Sequence, residues 1–234
     1  YSMHQKDITI IVDVMGGDNT PFKTLKGTEI FLERNKDVKI VFLGNEKLIK
    51  NIIQKKKFSF NNFSILNTDN NIKDDDSASV ILRNRKDSSI KKGLELIKDL
   101  DNSGFVSAGN TAAIMMLSKT TLGMIKGIDR PAICSIVPNN KNFSIMLDLG
   151  ANINSDAKSL FQFAVMGFCY HSVIRKNIKP TIGIINIGTE ENKGKENLQE
   201  CLNLIKNSFL KKYFIGFVEP NKIFEGNCDI MITD

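Results

Sequence analysis

Four short stretches of this sequence combine glycine with side chains that hold or orient anions. They are "DVMGGDNTP" (Asp13–Pro21), "SAGNT" (Ser107–Thr111), "DLGAN" (Asp148–Asn152) and "NIGTEENKG" (Asn186–Gly194). Glycines such as Gly16, Gly17, Gly109 and Gly188 let backbone N–H groups approach an anion closely. A helix start behind such a turn adds about half a positive charge, worth roughly 0.3–1 kcal/mol toward an exposed anion. Any one of these turns serves equally as a plain cap: Asn110 or Ser107 can satisfy the first N–H groups of a helix with no ligand present. Four of them, each just after a strand-like run, favour a phosphate-type site. No GxxxxGK[ST] occurs, nor GxGxxG, so nucleotide phosphate loops and dinucleotide fingerprints are absent.

Cations for such a site are available in "RNRKDSS", where Arg83, Arg85 and Lys86 precede a helix start at Ser88-Ser89. Guanidinium forks match phosphate oxygens, and hydroxyls with helix N–H groups can complete the cage. A solvated loop is the alternative. Arg130 and Lys193 are further cations, and Asp13, Asp18, Asp148 and Glu190 are the acidic groups that could orient them, hold a metal, or cap turns. Nucleophilic catalysis through a placed imidazole has little to work with. The two histidines are His4, in the first residues, and His171, read here as a helix-surface residue. Cys134, Cys169, Cys201 and Cys228 lack CxxC spacing and read as small buried hydrophobes in a reducing compartment, not zinc ligands.

Strand-like and helix-like segments alternate to position these turns. Strands are expected at Ile8–Val14, Val38–Gly44, Phe63–Leu66, in "FVSAG", in the pair "PAICSIVP" and "FSIMLDLG", and at "TIGIINIG", "YFIGFVE" and "CDIMITD". The close pair implies a hairpin turning at Asn139–Asn142. Helices are expected from Pro21 (capped by Thr20) to about Asn35, after Asn45, from Ser88, from Asn110, from about Ser155, and in "GKENLQECLNLIKNSFL". This order implies an α/β fold with a mostly parallel sheet, taken as one domain over residues 1–234. Tyr1-Ser2 ahead of Met3 reads as an added scar, and the stop on a strand reads as truncation.

The chain has 234 residues, 41% hydrophobic and 25% charged, with a net charge of +6. That suits a globular domain with a real core, and no stretch is apolar enough to span a membrane. The basic balance raises a nucleic-acid module as a rival. However, the 15 phenylalanines sit mostly in apolar runs, not among cations. A membrane-surface scaffold without catalysis is a further rival.

The motif series "DVMGGD", "RKDSS", "SAGNT", "RPA" (Arg130–Ala132), "LDLGAN" and "NIG.EE.KG", in that order, resembles the bacterial phosphate:acyl-acyl-carrier-protein acyltransferases, the PlsX family. Ala112 stands where that family usually has Gly, and Asn192 where it often has an apolar residue. The resemblance implies a three-layer α/β/α fold like that of isopropylmalate dehydrogenases and phosphotransacetylases. It implies transfer of a long-chain acyl group from acyl carrier protein to inorganic phosphate, without a cofactor. It also implies a cytoplasmic homodimer at the membrane surface, feeding a membrane-bound glycerol-3-phosphate acyltransferase, with no nucleic-acid partner. An acyl-coenzyme A phosphotransacetylase is the alternative enzyme. On this reading Arg83, Arg85, Lys86, Ser88 and Ser89 serve phosphate or the carrier's phosphopantetheine. Ser107, Asn110 and Thr111 bind phosphate or the oxyanion, and Asp13, Asp18, Asp148 and Asn152 orient them.

Overall fold

The computed structural model of the chain describes residues 8–70, 72, 76, 80, 81, 87–188 and 196–233. It divides into two compact units, one up to Gly123 and one from Met124 onward.

The first unit is built on a four-stranded parallel sheet of order β3-β2-β1-β4. Its strands are β1 (Thr9–Asp13), β2 (Lys39–Gly44), β3 (Phe63–Asn67) and β4 (Ser103–Val106). β1 is a β-branched run in the middle of the sheet, paired with β2 on one side and β4 on the other. Helices α1 (Phe22–Arg34), α2 (Glu46–Lys56), α3 (Ser89–Asp99) and α4 (Thr111–Leu122) connect or follow the strands. One buried cluster joins Val12, Val14, Leu25, Ile40, Phe42 and Ile49, and a second joins Ile90 and Leu94 of α3 to Ala113 and Leu117 of α4. The expected amphipathic face of α3 is therefore real: Ile90 and Leu94 are buried, and Ile97 packs beside them. Gly93 lies so close to the Phe105 ring that a Cβ there would overlap a ring carbon.

Local sequence sets most helix ends. Asn45 Oδ1 accepts from Leu48 N at 2.9 Å, as the sequence predicts, and Lys57 closes α2 in the left-handed region at φ 55°. Thr20 departs from its expected role. α1 begins after Pro21 with no side-chain cap, and the Thr20 hydroxyl turns back to donate to Met15 O and Gly17 O at 3.1 and 3.0 Å. A hydroxyl beside glycine-rich backbone finds carbonyls closer than the helix N–H groups ahead of it.

The second unit carries a five-stranded sheet of order β5-β6-β9-β7-β8. Its strands are β5 (Ser135–Pro138), β6 (Phe143–Leu147), β7 (Ile182–Ile185), β8 (Phe214–Val218) and β9 (Ile230–Ile232). β5 and β6 form the expected antiparallel hairpin, and the other pairings are parallel. Helices α5 (Ala157–Ile174) and α6 (Glu196–Lys206) cover a core of Leu160, Phe163, Ala164, Leu198, Leu202 and the central strands. The cap of α5 is Asp156, whose side chain accepts from Ser159 N at 2.7 Å, one residue beyond the expected Ser155. Among the described residues no helix is long and apolar enough to cross a membrane.

Candidate active site

In the first unit the strand order reverses between β1 and β4, since later strands lie on either side of β1. The crevice beyond such a switch point is where open α/β sheets take ligands. The two loops leaving these strands are "VMGGDNT" after Asp13 and "SAGN" after Val106.

Asp13 is buried at 1% exposure and joins the two loops. Its Oδ1 accepts from Met15 N at 3.1 Å, and its Oδ2 accepts the Ser107 hydroxyl at 2.7 Å. Ser107 Oγ in turn accepts from Gly109 N at 3.1 Å. The glycines make this approach possible. A Cβ on Gly16 would lie 2.7 Å from Asp13 Oδ2 and 2.8 Å from Gly109 N. Gly17, at φ 89°, would place one 2.9 Å from Ala108 O. The two corners thus touch backbone to backbone, and Thr20 clasps the first of them from behind.

This geometry divides the candidates by role. The Ser107 proton is committed to Asp13 and its oxygen to Gly109, so Ser107 shapes the loop and is not a ready phosphate donor. Asn110 caps α4, its Oδ1 accepting from Ala113 N at 2.9 Å, and Thr111 stands exposed on the first turn. The remaining N–H groups of that turn have no intrahelical acceptor, as at any helix start. Asp18 is exposed in the first loop. Ser88 caps α3 by accepting from Lys91 N at 3.2 Å, and Ser88 and Ser89 are 0% and 2% exposed, so both stand first as parts of the α3 start. Arg83, Arg85 and Lys86 lie outside the described residues, as do Glu190 and Lys193.

In the second unit Asp148 makes a comparable knot at the end of β6. It is 3% exposed, its Oδ1 accepting from Ile133 N at 2.7 Å. Its Oδ2 accepts from Asn152 N at 2.7 Å and Asn152 Nδ2 at 3.0 Å. Asn152 Nδ2 also donates to Pro131 O at 2.8 Å, tying the "RPA" segment to the "DLGAN" turn. Gly188 is buried at the end of β7, beside a buried Asn186 whose N–H donates to Val218 O at 3.0 Å.

Two readings of the titratable side chains need correction. His171 is not on the surface: it is 1% exposed, and neither ring nitrogen has a hydrogen-bond partner. Burial pushes its pKa down, against the pull of Asp229, while Arg175 adds to the depression. The apolar sequence of α5 around it gave the signal, because a helix hydrophobic on most sides has little surface to offer. Of the cysteines, Cys201 and Cys228 are buried, with thiols pushed up to about 12 by burial, but Cys134 and Cys169 are exposed. Among the described residues no group of three or more His, Cys, Asp or Glu could hold a metal ion. Thr20 and Gln162 are further loop-holding residues, Gln162 Oε1 accepting from Asp129 N at 2.9 Å. Thr-Pro reads as a helix start, and a glutamine within an apolar helix carries no local signal of its partner.

A family model described as "fatty acid synthesis protein" matches residues 8–234. The phosphate acyltransferase of Clostridium tetani (strain Massachusetts / E88) is 41% identical over 225 residues, covering 96% of this chain and 67% of that protein. That of Hydrogenovibrio crunogenus (strain DSM 25203 / XCL-2) is 39% identical over 227 residues, covering 97% and 67%. The chain therefore spans about two thirds of the length of these relatives. Among solved structures, the EutD phosphotransacetylase from Staphylococcus aureus matches with a TM-score of 0.63 at 14% identity, covering 97% of this chain and 78% of that one. A phosphotransacetylase from Streptococcus pyogenes gives 0.62 at 16%, covering 98% and 78%. At such identities the likeness establishes the α/β fold alone.

Proposed function

Because the chain belongs to the fatty acid synthesis protein family, whose matched relatives are phosphate acyltransferases, we propose that it moves a long-chain acyl group from the thioester of acyl carrier protein to inorganic phosphate. A phosphate oxygen attacks the thioester carbonyl carbon, the C–S bond breaks, and the carrier thiolate leaves and takes up a proton. The products are acyl phosphate and free carrier protein. Phosphate is itself the nucleophile, so no side chain has to be acylated.

The observation that carries this reading is the Asp13–Ser107–Gly109 chain of hydrogen bonds at the β1/β4 reversal. It fixes two glycine corners in backbone contact and sets the start of α4 beside them. In the proposed reaction, Asn110, Thr111 and the first N–H groups of that helix receive phosphate or the thioester oxyanion. Asp13, Ser107, Gly16, Gly17 and Gly109 keep the cradle in shape. Positioning of this kind contributes up to about 7–11 kcal/mol, and one oxyanion donor about 2.7–4 kcal/mol. Arg83, Arg85, Lys86, Ser88 and Ser89 are assigned to phosphate or the phosphopantetheine arm, and Asp18, Gly188, Glu190 and Lys193 to supporting the bound anions. Asp148 and Asn152 hold the second unit's corner. The positive surface favours an acidic carrier protein as partner. A cytoplasmic homodimer at the membrane surface, passing its product to a membrane-bound glycerol-3-phosphate acyltransferase, completes the proposal.

The test is acyl-phosphate formation in the full protein with acyl carrier protein and coenzyme A thioesters at matched concentration. Preference for the carrier thioester, and a loss of about 100-fold or more in Asn110→Ala and Arg85→Ala, are expected. Preference for the coenzyme A thioester would convert the reading to a phosphotransacetylase. Unchanged rates in both variants would remove the site assignment.

A further inference from the structure

Residues 127–133 of the second unit form a loop fastened at nearly every other residue. Gln162 of α5 holds its first half: Oε1 accepts from Asp129 N at 2.9 Å, and Nε2 donates to Gly127 O at 2.8 Å and to Asp129 Oδ2 at 3.2 Å. The other half is held from the end of β6, where Asn152 Nδ2 donates to Pro131 O at 2.8 Å and Asp148 Oδ1 accepts from Ile133 N at 2.7 Å. Lys158 adds an ion pair to Asp129 at 2.8 Å, but both ends are half exposed or more, so it contributes little. Gln162 is the stronger anchor, since it is 5% exposed and all its bonds go to this loop.

Between the two sets of anchors stands Arg130. It is exposed, and its guanidinium takes part in no hydrogen bond or ion pair among the described residues. Its charge is felt by Asp156 at the start of α5, as a lesser contribution behind the Ser159 hydrogen bonds. A buried amide, a buried carboxylate and a fixed asparagine therefore restrain a loop whose central side chain is left unpaired. Ala132 packs against the core and Ile128 and Ile133 are half-buried, whereas Arg130 is left exposed. A guanidinium held on a restrained backbone loses less entropy when it takes a phosphate oxyanion in its fork.

We propose that Arg130 binds a phosphate group of the substrates, and that Gln162 is a positioning residue that acts through it. This rests on the acyl-transfer function proposed above. The phosphate has two possible sources: inorganic phosphate, or the phosphodiester of the acyl donor's pantetheine arm. Either gives the same pairing with the fork, and kinetics separates them.

The experiment measures kcat and KM for both substrates in the full protein for the wild type, Arg130→Ala, Gln162→Ala, Gln162→Glu and the double variant Arg130→Ala/Gln162→Ala. Glu at 162 keeps the size of the side chain but cannot donate to Gly127 O, and it places a carboxylate against Asp129. KM for one of the two substrates is expected to rise about tenfold or more in each single variant, with kcat within about twofold. A rise for phosphate identifies the inorganic ion, and a rise for the acyl thioester identifies the donor's arm. The double variant should be no worse than Arg130→Ala alone, because Gln162 has nothing to position once the guanidinium is gone. Thermal unfolding of each variant checks that it folds, and Gln162→Glu keeps the test open if Gln162→Ala does not. Additive losses, a fall in kcat alone, or unchanged constants would overturn the proposal. A wild-type protein that makes no acyl phosphate would instead remove the function on which it rests.

Discussion

At the scale of single residues, the buried Asp13 carboxylate accepts from Met15 N and from the Ser107 hydroxyl. Asp13, Gly16, Gly17, Ser107 and Gly109 stand out by composition, yet Ser107 bonds to an aspartate 94 positions away, which no local pattern encodes. That bond turns a candidate ligand into a brace. Gly16→Ala should accordingly cost about 1–3 kcal/mol in denaturant unfolding, because a Cβ meets Asp13 Oδ2 and the Gly109 backbone, neither of which can yield cheaply. A normal unfolding midpoint with full activity would contradict the close approach of the two corners. His171 supplies a pH dependence. It is buried neutral, with Asp229 and Arg175 as its charged neighbours, and its folded pKa lies below the ordinary 6.5. The unfolded chain therefore binds the proton first. The His171 contribution is complete above about pH 6.5 and declines as the pH falls from there toward the lower folded value. Equilibrium unfolding between pH 7.5 and 5 should show this loss, and His171→Leu should flatten that part of the curve.

At the scale of elements, hydrophobic periodicity marked the nine described strands and most helices, because each β-branched run and each 3.6-residue stripe is a local property. Caps were legible where a polar side chain could reach only its own helix, as at Asn45 and Asn110. Thr20 and Ser155 were not, since competing acceptors or an adjacent aspartate decide them. Strand order was not legible either. Pairing of β1 with β4, which creates the reversal where the candidate site lies, follows from packing between distant segments. The tight fit of α3 on β4 is likewise a tertiary matter: Gly93→Ala should destabilise by about 1–3 kcal/mol through overlap with the Phe105 ring. Asn110→Ala should cost only about 1 kcal/mol of stability as a lost cap while activity falls far more. An activity loss no larger than the stability loss would make Asn110 a cap and nothing else.

At the scale of the whole molecule, the charge of +6 bears on partners, not on the fold. With an acidic carrier protein as donor, KM for the acyl carrier thioester should rise several-fold between low and physiological salt as the steering field is screened, with kcat little changed. A salt-independent KM would argue against electrostatic docking. The family was legible from six short motifs in order, whereas the division into two compact units was not. In the proposed reaction the glycine corners serve a step in which phosphate itself attacks the thioester. Incubating the full protein with acyl carrier thioester and isotopically labelled inorganic phosphate tests it most directly. Label is expected in acyl phosphate, released in step with free carrier thiol and abolished in Asn110→Ala. Carrier thiol released with free fatty acid and no labelled acyl phosphate would contradict it.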